Sequence, residues 1–306
     1  MKKQPLKYRL NVIGGALVIF LCIRTYLPIA ARKAGMQQNF NLWLAVCSVT
    51  LALSCLVPVM FIEKMCDFHP FLFGEKRWNI TGLALVMHSM LVFLGVAVIN
   101  NIVFIIPLQK AGIVFPQQML EKTDNIFTLL FYFVFTALVP AVCEEIFVRG
   151  YILGMLRPYG TRFAILSSAL LFMVMHTQVQ SFLPVFCAGI MLACIYVYTD
   201  NIYLSIMLHF INNGYSFIMM YIVQSPQGIS AAGFAAFVIA LIIATGIAAE
   251  IHLRKKDVGI LSAMAKNGEK NAKLITMIKC PVLVLALLCC FLAIGSQLFV
   301  DLGLGV

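Results

Sequence analysis

The chain has 306 residues, of which 62% are hydrophobic and 11% charged, and its mean hydropathy is +0.98. So apolar a composition excludes a soluble globule or a disordered chain, and the fold class expected is all-α, a polytopic transmembrane helix bundle. The formal charge of +10 does not point to nucleic acid, because the basic residues follow the asymmetry that membrane insertion imposes.

A spanning helix needs about 20 predominantly apolar residues. In chain order such stretches occur at 11–31, 40–62, 81–107, 125–156, 163–178, 182–199, 202–223, 231–252 and 281–300, giving about eight or nine spans in one membrane domain over 1–306. The first stretch follows a basic segment, but it is too long for a signal peptide and has no small-residue cleavage site, so it reads as an anchor. With the N-terminus inside, sixteen Lys and Arg fall in inner segments, against four (Arg32, Lys33, Lys110, Lys122) in outer ones. That bias predicts nine spans and a cytoplasmic N-terminus. The stretch 108–124 suits an interfacial helix or gate, or a plain connecting loop. The basic loop 254–279 reads as a solvated topogenic loop, with contact to anionic lipid as the alternative. Ten cysteines show no metal-type spacing and read as small core residues without disulfides.

The fourth stretch is too long for a perpendicular helix, since about 32 residues at 1.5 Å rise reach roughly 48 Å against a core of about 30 Å. It must tilt, kink or project, and Pro140 is the expected kink. This same stretch holds Glu144 and Glu145, the two of the twelve acidic residues that lie deep in an apolar span. A charge at that depth costs at least a few kcal/mol, so such residues carry a function, a partner, or both. Arg149 follows Glu145 by four residues and shares its face, whereas Glu144 points about 100° away. Glu145 is therefore expected to pair with Arg149, and Glu144 to face a cavity.

Three of the five histidines fall well inside spans: His88, His176 and His209. His176 follows Phe172 by four residues and His209 precedes Asn213 by four, so each pair occupies one helical face. His88 reads as a helix-packing hydrogen-bond partner. Glu144 lies 13 residues before Arg157, His176 14 after Arg162 and His209 9 after Asp200, placing them roughly 19, 21 and 13 Å from one surface. Residues at such depths can meet near mid-bilayer in a cytosol-facing cavity. A carboxylate desolvated beside a second one suits general acid–base catalysis, and a His with an Asn on one face suits an oxyanion. The chemistry suggested is amide hydrolysis. Alternatively Glu144, His176 and His209 form a zinc-ligand set, one carboxylate and two imidazoles; spacing leaves both readings open.

At this point the residues resemble a known family. Glu144-Glu145-Ile-Phe-Val-Arg149-Gly150 matches EExxxR followed by Gly, Phe172 to His176 matches FxxxH, and His209 to Asn213 matches HxxxN. These are the three motifs, in order and in separate spans, of the CPBP intramembrane proteases, the CAAX-processing and bacteriocin-processing (Abi) endopeptidases. The resemblance covers about 125–215. It implies a glutamate-type endopeptidase in which Glu144 and His176 activate water, His209 and Asn213 stabilise the oxyanion, and Glu145, Arg149 and Phe172 support them. It implies a membrane-associated or lipidated protein or peptide as substrate, the bilayer as partner, no nucleic acid, and a bacterial plasma membrane location. No cofactor is expected, with zinc the alternative, since family descriptions have also used the term metalloprotease. Readings from other classes are a proton-coupled transporter, which the lack of matching halves disfavours, and a non-catalytic bacteriocin-immunity membrane protein.

Overall fold

The computed structural model describes residues 4–70, 79–113, 115, 125–224, 228–259, 261, 264 and 274–301. Among them are no strands, and nine long helices follow one another: α1 (Leu6–Lys33), α2 (Phe40–Cys66), α3 (Ile80–Lys110), α4 (Ile126–Tyr159), α5 (Thr161–Met175), α6 (Phe182–Thr199), α7 (Ile202–Gln224), α8 (Gly228–Lys255) and α9 (Pro281–Asp301). Each coincides with one of the nine apolar stretches. Asn39, Asn79 and Asn125 start α2, α3 and α4, each with its side-chain oxygen accepting from a backbone N–H of the first turn. The remainder of 108–124 beyond Ile113, apart from Phe115, and residues 260, 262, 263 and 265–273 of the 254–279 loop lie outside the described residues.

Among the described residues, six helices are long and apolar enough to cross a membrane. Helix α5 has 15 residues, about 22 Å, and the described apolar stretch of α9 is Pro281–Ser296. Helix α7 has 23 residues but carries Ser205, His209, Asn212, Asn213 and Ser216, which lower its hydropathy. The bundle is turned inside out relative to a soluble protein: Phe127 is 79% and Leu292 74% exposed, whereas Glu145, Arg149 and Ser205 are wholly buried. That arrangement requires a lipid surround, because charges are tolerated only inside and the bilayer accepts the apolar exterior. The chain is an integral membrane protein.

Helix α1 packs on α2 and α9, α3 on α8, α5 on α6, and α7 against α3, α4 and α6. Close approach is bought with glycine at two crossings. A Cβ on Gly14 would lie 2.5 Å from the Leu283 backbone nitrogen, and one on Gly189 would lie 3.0 Å from the Ala169 Cα. Without a hydrophobic force between helices in lipid, such small residues let backbones approach and gain dispersion.

Helix α4 is not α-helical throughout. Its α-helical segments Ile126–Phe133 and Val139–Glu145 are separated by a π turn at Val134–Leu138, and a second π segment runs over Ile146–Leu153. Pro140 enters just after the first wide turn, where its missing N–H is accommodated by the relaxed ladder. The carboxylate pair ends the α-helical segment between the two.

The ten cysteines are all free; Cys55, Cys66, Cys194, Cys280 and Cys290 are buried, but Cys22 is exposed on the bundle exterior rather than in the core. His88 on α3 meets Glu250 on α8, Nδ1 to Oε2 3.2 Å, and Glu250 also pairs with Arg254 one turn on. His88 thus joins two helices, but by a charge contact rather than the expected hydrogen bond, since its Nδ1 has no hydrogen-bond partner; the sequence did not single out Glu250.

Candidate active site

Helix α4 brings Glu144, Glu145 and Arg149, α5 ends at His176 one turn beyond Phe172, and α7 carries Ser205, His209 and Asn213. Arg149 Nη1 lies 2.9 Å from Glu145 Oε1 with both side chains fully buried, so the expected pairing is present. The guanidinium is held further by Nη2 donating to the Gly189 carbonyl at 3.3 Å, and its Cζ sits 4.3 Å from the centre of the Phe172 ring. Stacking on the ring face adds a cation–π attraction that is strongest where water is excluded.

Glu145 does more than pair with Arg149. Its Oε2 accepts from Ser205 Oγ at 2.6 Å, and its Oε1 lies 2.9 Å from His209 Nδ1. An ionised carboxylate only accepts, so Nδ1 of His209 carries its proton toward Glu145, and Nε2 is the nitrogen turned to the site. Ser205, missed in the sequence, had a legible signal: it precedes His209 by four residues, so Ser205, His209 and Asn213 form one stripe along α7.

Glu144 behaves as the other member of an unequal pair. Its side chain keeps 13% of its exposure, and Oε2 lies 3.9 Å from His209 Nε2, within charge interaction but beyond hydrogen-bond length. That oxygen is buried without a hydrogen-bond partner. A carboxylate oxygen left unpaired at this depth is costly, and such orphans concentrate where chemistry needs a free acceptor.

His176 caps the C-terminus of α5, with Nδ1 2.9 Å from the Phe172 carbonyl oxygen. A carbonyl only accepts, so Nδ1–H is the donor; in the neutral ring Nε2 is then the acceptor. Thr177 follows with φ of 53°, a left-handed conformation that a β-branched residue adopts at a cost of about 1–3 kcal/mol. The turn it makes ends α5 immediately after the histidine. The Phe172 ring stands edge-on to both imidazoles, 4.6 Å from His176 and 5.9 Å from His209. Asn213 lies one turn beyond His209 and is partly buried. Thus Arg149, His176 and His209 meet around the Phe172 ring, Glu145 links Arg149 to His209, and Glu144 faces His209, with Asn213 one turn further on α7.

Among the described residues no group of three His, Cys, Asp or Glu side chains is placed to hold a metal ion. The arrangement has one fixed carboxylate, one free carboxylate and two oriented imidazoles in a water-poor interior.

Residues 126–215 match the family model described as type II CAAX prenyl endopeptidase, Rce1-like. The matched stretch runs from α4 to α7 and includes all three motifs, so this core is similar to that family. Comparison with curated proteins and with solved structures yields no match.

Proposed function

We propose that this protein is an intramembrane endopeptidase that hydrolyses a peptide bond of a membrane-associated or lipidated protein or peptide. The observation that carries the reading is the unpaired Oε2 of Glu144 facing His209 Nε2 across 3.9 Å. Glu144, with His176 Nε2 as a second acceptor, takes a proton from a water molecule as the water oxygen bonds to the scissile carbonyl carbon. The carbonyl oxygen becomes an oxyanion, received by His209 Nε2–H and the Asn213 amide. For Nε2 to donate while Nδ1–H is given to Glu145, His209 acts as the imidazolium; with Arg149 it then balances Glu144 and Glu145. On collapse the carbon–nitrogen bond breaks, and Glu144 returns its proton to the departing amine. Glu145 holds His209 by its tautomer and orientation, and Arg149 and Ser205 hold Glu145. No metal enters these steps.

The N-terminus is assigned to the cytosolic side of a bacterial plasma membrane, supported by the sixteen-to-four bias of basic residues. The deciding experiment compares membrane and secreted peptide termini in cells carrying the wild type, Glu144→Ala and His176→Ala, with membrane insertion of each checked. The reading expects termini that vanish in both variants. Identical termini in all three strains overturn it.

A further inference from the structure

Arg24 lies inside the first apolar stretch and takes no part in the contacts of the reaction centre. It follows the buried Arg9 by 15 residues, so it stands roughly 22 Å further along α1, still within a hydrocarbon core of about 30 Å. Its side chain is exposed, as are Tyr26, Leu27 and Ile29 beside it, which puts the guanidinium on the exterior of the bundle. Among the described residues no carboxylate pairs with it. The neighbouring sequence offers none either, because the first acidic residue of the chain is Glu63, at the other end of α2. An arginine exposed at such depth is costly unless its stem carries the charge outward to an anion.

Arg24 is not alone at this end of the bundle. Arg32 lies two turns on, with its Cζ 5.2 Å from the centre of the Trp43 ring on α2, and Lys33 follows it. Both arginines act electrostatically on Cys47, one turn beyond Trp43, which places the two charges along the seam between α1 and α2. The charge of Arg24 is also felt at Cys55 and at His176, so this seam adjoins the reaction centre.

We infer that Arg24 and Arg32, with Trp43, form a binding site for the phosphodiester of a net-anionic phospholipid in the leaflet at this end of α1. Charge complementarity carries the choice. A guanidinium presents paired N–H donors that match phosphate oxygens, and two of them on one seam favour a headgroup of net negative charge over a zwitterionic one. Trp43 and Tyr26 are the amphipathic rings that settle at headgroup level. The exposed Leu27, Ile29, Leu42 and Val49 offer the acyl chains an apolar surface, which a soluble phosphate does not use. The site is separate from the groups assigned to cleavage and does not depend on the endopeptidase reading.

The chain has two tryptophans, so Trp78→Phe leaves Trp43 as the single reporter. The test places full-length Trp78→Phe protein in phosphatidylcholine vesicles containing a rising share of acyl-brominated lipid, either phosphatidylglycerol or phosphatidylcholine, and follows quenching of Trp43. Brominated phosphatidylglycerol is expected to quench at about fivefold or more higher relative affinity, the effect of one cation near an anionic headgroup. Arg24→Gln is expected to bring that ratio close to one. Arg24→Leu, which removes a charge from a span and so eases insertion, carries the same expectation if Arg24→Gln does not fold. Excess glycerol phosphate in solution is expected to leave the ratio as it is. Equal quenching by the two lipids, or an unchanged ratio in either Arg24 variant, overturns the site. A ratio abolished by glycerol phosphate shows a soluble-anion site and overturns the lipid assignment.

Discussion

His209 presents Nε2 to the Glu144 carboxylate across 3.9 Å, a separation at which the charges attract and neither group is consumed by a hydrogen bond. Its other nitrogen is fixed on Glu145 at 2.9 Å. One imidazole thus divides two adjacent glutamates into a structural and a free member, and the predictions test that division.

Glu144→Gln keeps the shape of the side chain and removes its basicity. Cleavage is expected to fall by about 10²–10⁴-fold, the contribution of a general base. Because the Oε2 it alters has no partner, the melting temperature in detergent is expected to stay at or above that of wild type. A folded, fully active Glu144→Gln protein contradicts the assignment.

Glu145→Ala is expected to behave in the opposite way. It leaves Arg149 buried and uncompensated and takes the acceptor from Ser205 and His209, costing about 3–5 kcal/mol and most of the folded protein. The double variant Glu145→Leu/Arg149→Met is expected to recover much of the stability without activity. Denaturation of the single and double variants in matched micelles measures both.

Ser205→Ala removes a hydroxyl that donates to a buried carboxylate at 2.6 Å, a loss of about 1.5–3 kcal/mol. Activity is expected to drop, chiefly in kcat, since the hydroxyl orients Glu145 and through it His209. A change confined to KM argues against that role.

Phe172→Leu takes away the ring face under Arg149 and the ring edges beside His176 and His209. A desolvated cation–π contact is worth about 2 kcal/mol, so this variant is expected to lose stability and, with both imidazoles freed, cleavage. Phe172→Tyr is expected to retain more of each. Thermal melts and turnover measured on one preparation separate the two effects.

The steps proposed use no metal. Cleavage is expected to survive chelators, and elemental analysis of active protein is expected to find less than one bound transition metal per chain. Stoichiometric zinc whose removal and return switch cleavage off and on overturns this.

Much of the site was legible because helices make it so. The four-residue spacings of Glu145 to Arg149 and Phe172 to His176 put each pair on one face, and the structure joins them by an ion pair and by a ring contact with a side chain-to-carbonyl hydrogen bond. The depth comparison placed Glu144, His176 and His209 at compatible levels. It gave only the axial coordinate, and so left open which helices would be neighbours. Ser205 and Gly189 as partners, and Glu250 for His88, follow from how α7, α6 and α8 pack, which no local spacing encodes. The two π segments on either side of Pro140 were not legible for a similar reason, since such relaxed turns depend on what α4 packs against.

The sequence by itself determined that the chain lives in lipid, that its apolar runs are helices, and that two carboxylates, two histidines and an arginine lie within them; hydropathy and the 3.6-residue period are local properties of the chain. Only the tertiary structure decided that His209 fastens on Glu145 and leaves Glu144 free. That choice depends on the azimuth and crossing of α4 and α7, which are fixed by side-chain packing between segments about 60 residues apart.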